Sequence, residues 1–143
     1  MTAMKIALAA LALLITSSGG ARADQSDILG RWRTTQHGGV VEIYHCGGAL
    51  CGRVVDSERL RANPNLLDER NHNRTLRSRR VMDLVVLHNF TGGPERWTGG
   101  PLYDPATGDS ASSGSLRLLS RSTLEVKGCL AAFLCRTQRW TKA

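Results

Sequence analysis

The sequence predicts an all-β protein, an antiparallel meander that closes into a β-barrel of eight or nine strands and carries one long Arg-rich loop. Short β-branched runs alternate with turns rich in Gly, Asp and Pro along most of the chain. In Val40–Cys46 the alternation places Val41 and Ile43 on one face. No long amphipathic helix follows residue 23. Closure would remove the exposed sheet edges, and an open sandwich is the alternative.

The first 23 residues have the features of a secretory signal peptide. Lys5 precedes an apolar run at residues 6–15, and Ala21-Arg22-Ala23 has the small-x-small pattern of a cleavage site. The apolar run is too short to span a bilayer, so an uncleaved anchor is disfavoured. We therefore expect a periplasmic protein with a single domain over residues 24–143.

The strand candidates follow one another with short turns except at one place. In chain order they are residues 28–35, 40–45, 52–55, 84–90, 95–99, 100–103, 112–119, 123–129 and 133–141. Residues 56–80 interrupt them with seven arginines and four acidic residues. A short helix is expected at residues 57–61, which contain helix formers. A connection of this length is usually functional or mobile.

Four cysteines, an even number in an exported chain, predict disulfides. Three pairings are possible, and we favour the local one, Cys46–Cys51 and Cys129–Cys135. Each of these pairs brackets a few small or turn-forming residues, as a stapled hairpin would. A four-cysteine zinc site is the alternative, but its spacing is loose and the compartment is oxidising.

Several motifs in the same order resemble the exported bacterial family DUF2147, a domain of unknown function. They lie at residues 30–32, 46–52, 76–79, 97–100, 103–108 and 135–141. The resemblance covers nearly all of the mature chain and implies a lipocalin-like, calycin-type barrel without an established activity. This chain departs from the family in the loop after Asp68, where the prolines of the family pattern are missing.

Gly30-x-Trp32 is also similar to the first-strand signature of lipocalins. That resemblance implies that Trp32 closes one end of the barrel and that a basic side chain of the last strand covers its ring. The matching residues would be Arg136 or Arg139. Such a cation–π contact stabilises by about 0.5–2 kcal/mol.

The sequence offers no recognisable catalytic or metal-binding constellation. The four histidines, at positions 37, 45, 72 and 88, share no ligand spacing, and no nucleophile elbow is present. We therefore expect no metal, no cofactor and no enzymatic activity, although a fold can bring distant carboxylates together. The charge of +7 favours anionic surfaces, with the alternative that it only keeps the protein soluble. Export disfavours a nucleic-acid partner.

Among the features of the sequence, the arginine-rich loop is the strongest candidate for a binding site. Arg77 and Arg79 would point the same way in an extended segment and could clamp a phosphate or carboxylate. One alternative is a solvated loop whose charges pair with Asp68, Glu69 and Asp83. Another gives Arg77 a structural role, in which it anchors the loop to the barrel mouth.

Two functions are consistent with these features. The first is a monomeric binding module for an anionic lipid, lipopolysaccharide or small amphipathic metabolite, with a pocket lined by Val41, Ile43, Val86 and Trp97. The second is an envelope interaction protein whose barrel is filled by side chains. The aromatic share of 5% leaves few large side chains to fill the interior, which favours a cavity.

Overall fold

The computed structural model describes residues 25–131 and 133–143. The expected signal peptide, residues 1–23, lies outside the described residues. Within the part of the chain described here, no helix has the length and apolar character needed to cross a membrane.

The described residues form ten antiparallel strands in one sheet. They are β1 (Gly30–Arg33), β2 (Val40–Cys46), β3 (Ala49–Asp56), β4 (Val85–Gly92), β5 (Arg96–Gly99), β6 (Leu102–Asp104), β7 (Asp109–Ala111), β8 (Ser113–Ser120), β9 (Thr123–Ala131) and β10 (Leu134–Lys142). Strands β1, β2, β3, β4, β5, β8, β9 and β10 pair in a closed ring, because β3 also pairs with β4 and β10 with β1. The predicted barrel is therefore confirmed.

Strands β6 and β7 form an additional hairpin attached to β4 through Leu87 and Leu102. The strand candidates left residues 104–111 between two strands, so a strand at Asp109–Ala111 was not predicted. These three residues have little β-propensity of their own. They are extended because the tight turn at residues 104–108 pairs them directly with β6.

The two ends of the barrel differ. The closed end holds Trp32 and the short turns β2–β3, β4–β5 and β8–β9. The open end holds the connections at residues 34–39, 57–84, 100–112 and 131–134. Apolar side chains alternate inward along the strands, as β2 shows, where Val41 and Ile43 are buried and the intervening Glu42 is not.

Trp32 fills the closed end and is fully buried. Its indole Nε1 donates a 2.8 Å hydrogen bond to the carbonyl of Ile28, in the 3-10 turn Gln25–Ile28. The Lys142 ammonium lies 4.5 Å from the ring centroid and donates to the carbonyls of Asp27 and Leu29 at 2.8 and 2.5 Å. A basic residue of the last strand does cover Trp32, as the lipocalin signature implies.

The identity of that basic residue was predicted wrongly. It is Lys142, because the register of β1 and β10 places Lys142 opposite Trp32. Arg136 is six residues earlier, about 20 Å along an extended strand. Arg139 is exposed and sits opposite Glu125 of β9.

Both local disulfides are present, one at each end of the barrel. Cys46–Cys51 spans the β2–β3 turn at the closed end, with its Cα atoms 5.8 Å apart. Cys129–Cys135 joins directly opposed residues of β9 and β10 at the open end. The predicted pairing is therefore confirmed.

The long connection at residues 57–84 is ordered by local structure. Helix α1 (Glu58–Ala62) begins after Ser57, whose hydroxyl accepts from the Leu60 amide as an N-cap. A 3-10 turn follows at Arg74–Leu76, and Leu67 pairs with Arg80 in an isolated bridge. The segment thus folds into a compact loop against the open end.

Candidate functional site

A cavity of about 770 Å³ reaches from the barrel interior to the loops of the open end. Its deep wall is apolar and includes Val41, Val54, Val86, Val126 and Trp140. The volume lies within the range of small-molecule sites, about 300–1,000 Å³. A barrel whose interior is filled by its own side chains does not match this arrangement.

One face of β10 forms a wall of this cavity whose polarity increases toward the mouth. Trp140, Gln138 and Arg136 lie two residues apart and all line it, since side chains of a strand alternate between its faces. The Trp140 indole donates to the Gln138 side-chain oxygen at 2.9 Å. Along this face the wall changes from apolar, through an amide, to a cation as it approaches the mouth.

Arg136 differs from the other charged residues at the mouth. Among the residues that the structure describes, its guanidinium has neither a hydrogen-bond nor an ion-pair partner. By contrast, Asp56 pairs with Arg61 at 2.8 Å, and Arg59 pairs with Glu69 at 3.1 Å. Arg136 is therefore a cation at the cavity wall that is available to an anionic group.

The predicted pocket residues divide into two groups. Val41 and Val86 line the cavity as expected. Ile43 and Trp97 are buried but belong to the packed part of the core and do not line it. Trp97 borders a separate space of about 30 Å³ at the closed end, where its indole nitrogen has no hydrogen-bond partner among the described residues.

Arg77 and Arg79 do not form an anion clamp at the cavity, because neither lines it. The Arg77 Nε donates a 2.7 Å hydrogen bond to the carbonyl of Asn71. The Arg79 Nε donates at 2.8 Å to a carboxylate oxygen of Asp68. Arg79 is thus paired with one of the carboxylates expected in the first alternative, and Arg77 holds the loop together.

Asp68 is the centre of that loop. It is 1% exposed and accepts hydrogen bonds from Arg79, from Asn71 at 2.9 Å and from the Tyr103 hydroxyl at 2.5 Å. Arg79 also stacks over the Tyr103 ring, 5.3 Å from its centroid. Burial, followed by the hydrogen bond to Asp68, raises the pKa of Tyr103 above its usual value.

Tyr103 connects this polar cluster to the cavity. It lies on β6 and its side chain contributes to the cavity wall. The cluster of Asp68, Asn71, Arg79 and Tyr103 therefore fixes the long loop at the mouth. The sequence indicated Asp68 as a partner of the loop arginines but not that it is buried, because a single Asp in a charged loop carries no sign of burial. The cavity-facing position of Arg136 could have been found from the alternation of residues 136, 138 and 140.

The fold and the site together define a class of protein: an eight-stranded antiparallel barrel, closed by a tryptophan at one end and containing a cavity at the other. The sequence profile described as "Uncharacterized protein conserved in bacteria (DUF2147)" matches residues 30–142. The chain belongs to this family.

A solved structure supports the fold. The chain is similar to protein HP1028 from the human pathogen Helicobacter pylori, whose description states that it belongs to the lipocalin family. The TM-score is 0.69 and the sequences are 19% identical, with 81% of this chain and 82% of that chain covered. No curated protein matches the sequence. This likeness supports the lipocalin-like barrel fold. The two disulfides are compatible with export.

Proposed function

We propose that this protein is a non-enzymatic periplasmic binding protein that holds one small amphipathic anion, such as a lipid or lipid-like metabolite. The acyl or ring portion would lie against the apolar wall, and the anionic head would meet Arg136. The observation that carries the proposal is the β10 face, on which Trp140, Gln138 and Arg136 run from the apolar interior to the mouth.

Two features of the rim support an anionic head group over a cationic one. Asp56, a carboxylate of the cavity wall, is already paired with Arg61 at 2.8 Å. Arg136 has no carboxylate partner among the described residues, so a ligand anion would not have to displace a protein carboxylate. A guanidinium is well suited to carboxylate and phosphate groups because it offers several donors in a planar fork.

The first experiment is native mass spectrometry of protein purified from the periplasm. A complex heavier than the bare chain, which releases a small amphipathic anion on activation, is the expected result. Recovery of only the bare chain would favour the alternative of an envelope interaction protein.

The second experiment measures binding of a fluorescent fatty acid, cis-parinaric acid, and of its uncharged methyl ester. Arg136→Gln should weaken binding of the acid by about tenfold, the lower end for one charge-assisted hydrogen bond. Binding of the ester should not change. Arg139→Gln is the matched control, because this exposed arginine of the same strand does not line the cavity.

Val86→Phe tests the cavity itself by filling part of the apolar wall. Both probes should then bind more weakly, provided that the melting temperature confirms a folded protein. Unchanged binding of both probes to Val86→Phe would place the ligand outside the barrel and contradict the proposal.

A further inference from the structure

Three exposed hydrophobic side chains lie together at the open end of the barrel, beside the β9–β10 turn. Leu130, Phe133 and Leu134 are 63%, 90% and 56% exposed, the highest values among the large hydrophobic residues described. We call these three residues the hairpin tip. Single exposed apolar residues are common, but a cluster of this kind marks an interaction surface.

The hairpin tip is held in an extended position. The disulfide Cys129–Cys135 cross-links the two strands directly beneath it, and Leu134 pairs with Ala131 above the cross-link. Leu130 and Leu134 also border the cavity, whereas Phe133 does not. An apolar surface therefore continues from the exposed tip into the barrel interior.

Cations surround the same end of the barrel. Four arginines of the long loop are exposed and form no ion pair with a carboxylate within the described part of the chain: Arg70, Arg74, Arg77 and Arg80. Arg136 adds a fifth cation beside the hairpin tip. Of the carboxylates at residues 57–84, Asp68 and Glu69 are paired with Arg79 and Arg59, whereas Glu58 and Asp83 form no ion pair within the described residues.

Contacts connect the arginine loop to the hairpin tip through the β6–β7 hairpin. Arg70 donates a 2.5 Å hydrogen bond to the carbonyl of Ala106, in the β6–β7 turn. At the other end of that hairpin, Ala111 lies against Gly128 of β9, so close that a Cβ at Gly128 would be 3.1 Å from the Ala111 Cβ. The loop, the β6–β7 hairpin and β9 therefore form one continuous rim.

We propose that this rim docks on the surface of a phospholipid bilayer that contains anionic head groups. The hairpin tip would enter the interfacial region, and the arginines would contact phosphates around it. An exposed apolar tip within a ring of cations is the combination that binds anionic membrane surfaces, where burial of apolar area and electrostatic attraction add. Docking in this orientation would face the cavity mouth toward the lipid. It does not require that the cavity hold a ligand.

Vesicle flotation with the purified mature protein tests the proposal. Vesicles of phosphatidylcholine alone are compared with vesicles that also contain phosphatidylglycerol. Binding should be at least about tenfold tighter to the anionic vesicles and should weaken as salt rises. Equal binding to both kinds of vesicle, or no binding to the anionic one, would overturn the proposal.

Two matched pairs of variants locate the contact. Phe133→Ser should weaken binding to anionic vesicles by about tenfold, whereas Leu119→Ser, at an exposed leucine of β8 near the closed end, should leave it unchanged. Arg74→Gln should weaken binding and lower its salt dependence. Its control is Arg96→Gln, an exposed position that begins β5 at the closed end. Equal effects within either pair would contradict docking through this rim.

Phe133→Trp distinguishes insertion of the hairpin tip into the bilayer from electrostatic attraction of the protein to the bilayer surface. The three native tryptophans are at most 6% exposed, so the added indole would be the exposed one. Its emission should shift to the blue on anionic vesicles and be quenched by brominated acyl chains. An unquenched indole would overturn insertion of the tip.

Sedimentation without vesicles gives a further check. If the protein is a dimer that Phe133→Ser converts to a monomer, the hairpin tip contacts a second copy of the chain and not a bilayer.

Discussion

Removal of the buried Asp68 carboxylate should destabilise the protein and release the long loop. The side chain is 0% exposed and supports three donors, from Arg79, Asn71 and Tyr103. Asp68→Ala would leave all three donors without this acceptor. Removing one partner of a buried ion pair typically costs about 3–5 kcal/mol. The Arg79 side chain is 36% exposed, so water can solvate part of its charge and the lower end applies.

We therefore expect Asp68→Ala to lower the free energy of unfolding by about 2–4 kcal/mol. Asp68→Asn preserves the shape and can still accept from some of these donors, so it should lose about half as much. Urea denaturation of the disulfide-intact protein measures both values. Tryptic cleavage within residues 70–80 should also accelerate, because the arginines of the loop become accessible when its anchor is lost.

Glu69→Ala is the matched control for this experiment. Glu69 is the neighbouring acid, is 65% exposed and forms a surface ion pair with Arg59. Its removal should change the free energy of unfolding by about 0.5 kcal/mol or less. If Asp68→Ala lost no more than Glu69→Ala, and trypsin cut both proteins at the parental rate, the assigned role of the cluster would be refuted.

Two further predictions concern stability at the closed end and at high pH. Trp32→Ala should lower the free energy of unfolding, measured by urea denaturation, by about 3–5 kcal/mol. Lys142→Met should lower it by about 1–2 kcal/mol, because it removes the cation and its hydrogen bonds. A loss under 1 kcal/mol for Trp32→Ala would contradict the closing role. Because the pKa of Tyr103 is raised in the fold, the folded state retains its proton above pH ~10 while the unfolded state loses it. The stability from this group should therefore be complete below pH ~10 and fall as pH rises further, with a slope that Tyr103→Phe reduces in urea denaturation at a series of pH values.

Much of the fold could be predicted because local signals and global packing agree. Alternation in β2 specified its inward face, and the turn chemistry around both disulfides specified their partners. Strand β7 could not be predicted in this way, since Asp109–Ala111 becomes extended only by pairing with β6. The cation over Trp32 was missed for a related reason: the choice among basic residues of β10 depends on its register with β1.

The arginine loop shows why the candidate site was harder to predict than the fold. Charge density in a sequence indicates that cations are near one another, but not which of them already have partners. Here the buried Asp68 carboxylate accepts from Arg79, and the backbone carbonyl of Asn71 accepts from Arg77. Among the described residues that line the cavity, Arg136 is a cation without a partner, and its strand also contributes Leu134, Gln138 and Trp140 to the wall. An unpaired guanidinium that faces an apolar cavity gains most from a ligand that supplies both an anion and an apolar body, which is why the binding proposal depends on Arg136 rather than on the loop.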